Sequence, residues 1–363
     1  MKNRLVTFMA GAGMALCLLA GCGEAAAQQE TAVTEAAAPE TEVSAEAEPT
    51  EAQETAEPTA AEAASAGEGT EMKDRSGNDI VVPAEVNTIV SMAPSITRVL
   101  IDMGLADKIV CADTNSQMSY GSELGADVVY MDMMTPDQEA LVAMAPDLIF
   151  TSGMSSKDGV DAFGSVRDAG ACVADIPSAE SIKAIEEDLL FIGECVGETG
   201  KAQALVDEME EAISEIREIA DTIPEEEKKT VLFELFTPSA DYPTIYTAGP
   251  GTYINEMLEI VGVINIAADE DAQWPALTEE ACVGADPQVI LTADMYTPDV
   301  INVLLNMEGW QNVTAIKDGA VYQLNADQVN QPNHHVIDAL IEMATFIYPE
   351  YFDESIEELS PAA

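Results

Sequence analysis

Two histidines, His334 and His335, are the whole imidazole supply of this 363-residue chain, so a reaction needing a base near neutral pH has one place to find it. Common enzymatic fingerprints are not written here. There is no GxxxxGK[ST], no GxGxxG between strand and helix, and no GxSxG; Gly153-Met-Ser-Ser-Lys157 fails the last at its final position. Asp and Glu number 67, and that abundance makes any one carboxylate pair uninformative. Adjacent histidines on a helix point to different sides and cannot build a multi-imidazole metal site, although one of them can ligate a metal carried inside a bound complex. The expectation is therefore no catalytic residue, no resident metal and no cofactor, with capping or surface duty the commoner use of a histidine at a helix start.

Cys22 is the residue with the clearest chemistry. Lys2 and Arg4 precede an apolar run from Leu5 to Ala20, which meets Leu19-Ala20-Gly21-Cys22: an export signal (1–21) whose small residues permit cleavage before a thiol that takes a lipid. The run is shorter than the roughly 20 residues needed to span a bilayer, so acyl chains on Cys22 are expected to hold the protein on the outer face of the cell membrane. The other cysteines outside that segment, Cys111, Cys172, Cys195 and Cys282, lie in apolar surroundings without ligand-like spacing and read as small core residues.

A third pair of candidates comes from a repeat. QEALVAMAPDLIFTSGM (138–154) and EEACVGADPQVILTADM (279–295) lie 141 positions apart and share seven of 17 residues without a gap. With Asp137 and Thr278 as N-caps, Glu139 and Glu280 both fall at the second helical position, where a carboxylate favours the positive helix end. The other reading is a two-point electrostatic plug, one acid per repeat, for a partner with two equivalent basic sockets.

The elements that must position these residues alternate in type. Residues 23–71 hold 13 glutamates, no Lys or Arg, and no Leu, Ile, Met or large aromatic; with too little to bury, 22–71 is expected to be a disordered acidic tether. Beyond it, apolar runs at Thr88–Ser91, Ile109–Ala112, Leu148–Thr151, Cys172–Asp175, Thr230–Leu235, Val289–Thr292 and Val321–Leu324 are separated by helical stretches, one of them around Val160 to Ala169. That order implies α/β layers with parallel strands. Lys201 to Ile223 carries a single apolar stripe and ends at Pro224, which predicts a helix of about 35 Å. The expected organisation is two lobes, 72–198 and 225–363, each a mostly parallel sheet flanked by helices, joined by a rigid helix within 199–224. From Met72 onward 54 acidic side chains (67 minus 13) face 12 basic ones (14 minus Lys2 and Arg4). A net charge near −42 excludes nucleic acid and anionic lipid as electrostatic partners.

The run DRSGNDIVVPAEVNTIVSMAPSITRVLIDMGLADKIVCAD resembles the opening of the substrate-binding lipoproteins of ABC importers for cobalamin, iron-siderophore complexes and haem. EALVAMAPDLIF, AGPGTYINEMLEIVGVINIA, WPALTEEACVGADPQVIL and VIDALIEMATFIYPEYF are similar to that family in the same order, over about residues 73 to 352. The resemblance implies a monomer that captures a metal chelate or cobalamin between its lobes, does no chemistry, and docks through Glu139 and Glu280 on arginines of a permease dimer. Ligands in open α/β sheets sit beyond strand ends, which selects Met92, Ser95, Met133, Tyr242, Tyr246, Trp274 and His334 as pocket candidates. Many family members carry a glutamate where this chain has Arg98, so Arg98 is expected either to face an anionic chelate or to pair with a surface acid. A chelatase-like enzyme with acid–base residues around His334, or a stand-alone receptor, is the alternative on the same fold.

Overall fold

In a computed structural model of the protein, the structure describes residues 69–153, 156–157, 160–239, 242–352 and 354–361. The export segment, Cys22 and nearly all of the acidic tether lie outside them. β1 (Thr70–Lys73) pairs antiparallel with β2 (Asp79–Val82), Thr70 opposite Val82. β1 takes in Thr70 and Glu71, two residues that composition assigns to the tether, because a backbone ladder against the half-buried alternation of β2 recruits them.

The first lobe follows in order. β3 (Ile89–Ser91), α1 (Pro94–Asp102), β4 (Ile109–Asp113), α2 (Thr114–Tyr120), β5 (Val129–Met131), α3 (Gln138–Met144) and β6 (Leu148–Ser152) lead to a short pair, β7 (Ser156–Lys157) and β8 (Val160–Asp161), then α4 (Gly164–Asp168) and β9 (Val173–Ile176). Five strands form a parallel sheet ordered β5-β4-β3-β6-β9. Its order reverses between β3 and β6, and a crevice opens beyond the carboxyl ends of strands at such a point. The helix expected around Val160 starts only at Gly164: Val160 and Asp161 are spent in the β7–β8 pair, and the Asp161 carboxylate accepts from the Phe163 N–H at 2.8 Å.

α5 (Ile182–Val196) and α6 (Thr199–Ala220) form a helical hairpin turned at Gly197, whose φ of 74° is left-handed, with the Glu198 N–H closing on the Gly193 carbonyl at 2.8 Å. Gly193 allows the close approach, since a Cβ there would lie 2.3 Å from that of Ala202. The 22 residues of α6 give about 33 Å of helix. Its buried stripe runs through Ala202, Val206, Met209, Ala212, Ile213, Ile216 and Ala220, as the spacing predicts.

The second lobe repeats the plan. β10 (Thr230–Glu234), β11 (Ile245–Tyr246), α7 (Tyr253–Ile260), β12 (Ile264–Asn265), β13 (Ala276–Leu277), α8 (Glu279–Ala285), β14 (Val289–Thr292), α9 (Val300–Leu305), α10 (Thr314–Asp318), β15 (Val321–Gln323), α11 (Ala326–Val329) and α12 (Val336–Ile347) follow one another. The parallel sheet β12-β10-β14-β15 reverses between β10 and β14, and β11 pairs with β13 as a separate antiparallel ribbon. One hydrophobic core joins α1, β3 and β6 of the first lobe to α5, α6, α7 and α12 and on to β10 and β14 of the second. Cys111, Cys195 and Cys282 are buried free thiols and Cys172 a half-buried one; burial pushes Cys111 and Cys282 up to about 12, which leaves them inert. No helix among the described residues is long and apolar enough to cross a membrane.

Candidate functional site

The quoted repeat is a repeat of geometry. Asp137 caps α3 by accepting from the Ala140 N–H, and Thr278 caps α8 by accepting from the Ala281 N–H. Leu141 and Cys282 are the buried anchors of the two helices, and Ala145 and Asp286 end them in the same left-handed conformation. In each lobe the next strand enters beside a threonine: Thr88 Oγ1 receives the Asp147 N–H at 3.0 Å, and Thr230 Oγ1 the Gln288 N–H at 3.2 Å. Each helix runs antiparallel to the strand it feeds, so its N-terminus lies at the end of the sheet where the strands finish. Glu139 and Glu280 are both exposed there, one in each lobe. Glu279 is half-buried and accepts from Trp310 Nε1 at 3.3 Å, which separates its role from that of Glu280.

Aromatic side chains crowd the same end of the second lobe. The Leu235 N–H reaches the Tyr246 carbonyl at 3.0 Å and the Thr237 N–H reaches Asp294 Oδ2 at 3.0 Å, tying the loops after β10 and β14 to the ribbon. Phe236 and Tyr296 stack with centroids 6.3 Å apart, and Tyr296 is 63 % exposed. Trp274, 44 % exposed, is held by its neighbours: the Gly249 N–H donates to Gln273 O at 2.7 Å, and a Cβ on Gly249 would lie 2.4 Å from Ala272 O. Asn265 supports that loop from below, donating to Ala248 O and to Asn255 Oδ1, both at 2.8 Å. Tyr242, 79 % exposed, precedes β11 and therefore sits at the other end of the ribbon from Trp274, with Tyr246 half-buried between them. Ser95 is half-buried in the first turn of α1, whose N-cap, Ala93, has no capping side chain. Met295 and Tyr296, both exposed at this end, are residues that sequence reasoning did not select as pocket candidates. Their signal was the position directly beyond the apolar strand Val289–Thr292, at the point where sheet order reverses.

Polar contacts join the first lobe to the second. Ser119 Oγ donates to Asp327 Oδ1 at 2.9 Å, and the Tyr120 hydroxyl donates to Gln331 Oε1 at 2.6 Å. Beside them, at the end of α1, Asp102 receives Arg98 Nε at 2.7 Å and has the Nε2 atoms of His334 and His335 at 2.9 and 3.1 Å. Burial works against the Asp102 carboxylate, yet the two imidazoles and Arg98 hold it well below the usual carboxylate range. The two rings separate electrically. Burial pulls His334 down, whereas His335, against the same burial, is raised to about 9 by hydrogen bonds to Asp102 and Asp338.

Three expectations are corrected by this geometry. Adjacent histidines do not diverge: they precede α12 on non-helical backbone, and their rings stand 4.5 Å apart over one carboxylate. His334, only 1 % exposed, belongs to this buried cluster and does not line the cleft. Of the two readings of Arg98, pairing with a surface acid is the one the structure shows: it bonds Glu123 as well as Asp102 and lies over the Tyr120 ring at 5.2 Å. Met92 and Met133 pack into the core between the first sheet and α3 and α4, because the side chain of Met92 continues the face set by Val90.

Residues 89–328 match the sequence profile of the family described as periplasmic binding protein. The chain belongs to that family. Among its relatives is an uncharacterized ABC transporter substrate-binding lipoprotein, YvrC of Bacillus subtilis, 33% identical over 281 residues that cover 77% of this chain and 86% of the relative. A cobalamin-binding protein of Halobacterium salinarum is 28% identical over 281 residues, 75% of this chain and 72% of its own. The periplasmic haem-binding protein RhuT of Roseiflexus shares the fold with a TM-score of 0.62 at 21% identity, over 73% of this chain and 98% of that one. Periplasmic binding proteins of this kind are two-lobed α/β molecules, the architecture derived above.

Proposed function

We propose that the protein is the lipid-anchored, extracytoplasmic substrate-binding component of an ABC importer, that it takes cobalamin or an iron complex such as haem or a ferric siderophore, and that Glu139 and Glu280 seat it on the two subunits of a permease. The observation that carries this reading is the pair of exposed glutamates at the same position of equivalent helices, one per lobe, at the strand-end side of both sheets. A dimeric transporter covering the cleft from that side meets both carboxylates at once. The cargo class rests on the relatives' ligands together with the second lobe's rim of Tyr246, Trp274 and Tyr296, where broad rings offer large apolar area to a planar chelate. Ser95, half-buried at an N-terminus of α1 that carries no capping side chain, is a polar candidate. A chelatase-like reading requires His334 at the cargo, and its ring is buried against Asp102 instead.

The deciding measurement is the visible spectrum of the purified protein titrated with haem, cobalamin and ferric siderophores. Saturable spectral change with one of them supports the reading, and no binding to any of the three sinks the ligand class.

A further inference from the structure

The cluster of Asp102, His334 and His335 joins two lobes with three electron-pair donors. Asp102 ends α1 in the first lobe and the histidines precede α12 in the second, and one ligand atom from each lies within 4.8 Å of the others. A carboxylate only accepts hydrogen bonds, so Asp338 Oδ2, 2.6 Å from His335 Nδ1, fixes the ring proton on that side. His335 Nε2 faces Asp102 Oδ2 3.1 Å away, a contact that a proton bridges in the cationic ring and that a metal ion can bridge in its place. His334 is the unsatisfied member: it is 1 % exposed, and neither of its ring nitrogens has an aligned hydrogen-bond partner among the described residues, although Nε2 approaches Asp102 Oδ2 at 2.9 Å. Buried donors and acceptors are normally satisfied, and a ligated metal ion would satisfy one of the His334 nitrogens.

We propose that Asp102, His334 and His335 hold a divalent transition-metal ion of the Zn²⁺ type that cross-links the two lobes. Around one tetrahedral ion bound at about 2.0–2.2 Å, ligand atoms stand roughly 3.3–3.6 Å apart, a few tenths of an ångström beyond the 2.9 and 3.1 Å separations observed, and all three ligand atoms lie within 4.8 Å of one another. The Asp338–His335 pair supplies the outer carboxylate that orients a metal-bound imidazole. Asp338 is itself held by Gln328 Nε2 at 3.2 Å and Ser360 Oγ at 2.5 Å. Arg98 competes for Asp102 Oδ2 through Nε, and its other bonds, to Oδ1 of Asp102 and to Glu123, keep the guanidinium paired once a metal takes that oxygen. Two imidazoles and one carboxylate favour zinc or cobalt over calcium and magnesium, which prefer all-oxygen sites. The site is enclosed and structural, independent of which cargo the cleft accepts.

The test uses the mature protein dialysed against a chelator and titrated with Co²⁺ and Zn²⁺. Expected are one Co²⁺ per chain with the intense visible band of a four- or five-coordinate site, its displacement by Zn²⁺, and a Zn²⁺-dependent rise in unfolding temperature that Ca²⁺ and Mg²⁺ do not give. His335→Ala should abolish the band, and Asp338→Asn, which leaves all three ligands in place, should weaken binding about 10- to 100-fold. A wild-type protein without the band, or Zn²⁺ affinity unchanged in both variants, overturns the proposal and assigns any bound metal to surface carboxylates. Because the readout is metal binding by cargo-free protein, it stands or falls apart from the transport assignment.

Discussion

Ala145 and Asp286 end equivalent helices of the two lobes in the same left-handed turn, with φ of 46° and 47°, although neither is glycine. The coincidence shows that the repeat extends to a backbone conformation disfavoured for both residues. The two side chains differ in what they return. Ala145 offers only a methyl group, whereas Asp286 accepts from the Thr314 N–H at 2.7 Å and from Thr314 Oγ1 at 3.1 Å. Ala145→Gly is therefore expected to raise stability by about 0.5–1 kcal/mol in urea unfolding, while Asp286→Gly gains nothing or loses stability.

The proposed docking role of Glu139 and Glu280 predicts a sharp separation of phenotypes. Glu139→Ala combined with Glu280→Ala should leave ligand affinity within about 2-fold and lower uptake by at least about 10-fold. A fall in affinity in place of uptake would move both residues into the pocket.

Trp274 and Trp310 are the two tryptophans of the chain, and Trp310 is buried with its Nε1 on Glu279. Ligand-induced quenching of emission should therefore come from Trp274. Trp274→Ala should weaken binding about 10-fold, or ~1.4 kcal/mol, with the fold unchanged; equal affinity in the variant would remove the ring from the site.

A buried acid should make stability fall with rising pH. Burial raises Glu234 from an ordinary 4.5 to about 7, against the lowering effect of hydroxyls from Thr237 and Thr292. A group whose folded value is raised contributes fully below its unfolded value and loses that contribution as pH climbs through the folded one. The unfolding temperature should accordingly decline between about pH 4.5 and 7, and Glu234→Gln should flatten that decline and be the more stable protein at pH 8.

What the sequence made legible was local. Leu148–Thr151 and Val289–Thr292 read as strands because apolar runs after proline leave few alternatives, and Asp137 and Thr278 read as caps because their oxygens lie next to helix N–H groups. The stripe of α6 followed from its period. Met92 was misplaced because a residue just past a buried strand faces either core or cleft, and only the register of Val90 decides which. Arg98 and Asp102 are four apart on one helix, a spacing that announces their pair, but Glu123 and the Tyr120 ring come from a different element. His335 and Asp102 are 233 positions apart, and nothing short of the packing of one lobe against the other brings them together.

The core that runs through α6 and α12 into both sheets limits how the two lobes can move against each other. Lobes that share a packed interior cannot swing like jaws on loose strands without tearing apolar contacts open. On the proposed reading, loaded and empty molecules would offer a permease nearly the same outline, with Glu139 and Glu280 a constant distance apart.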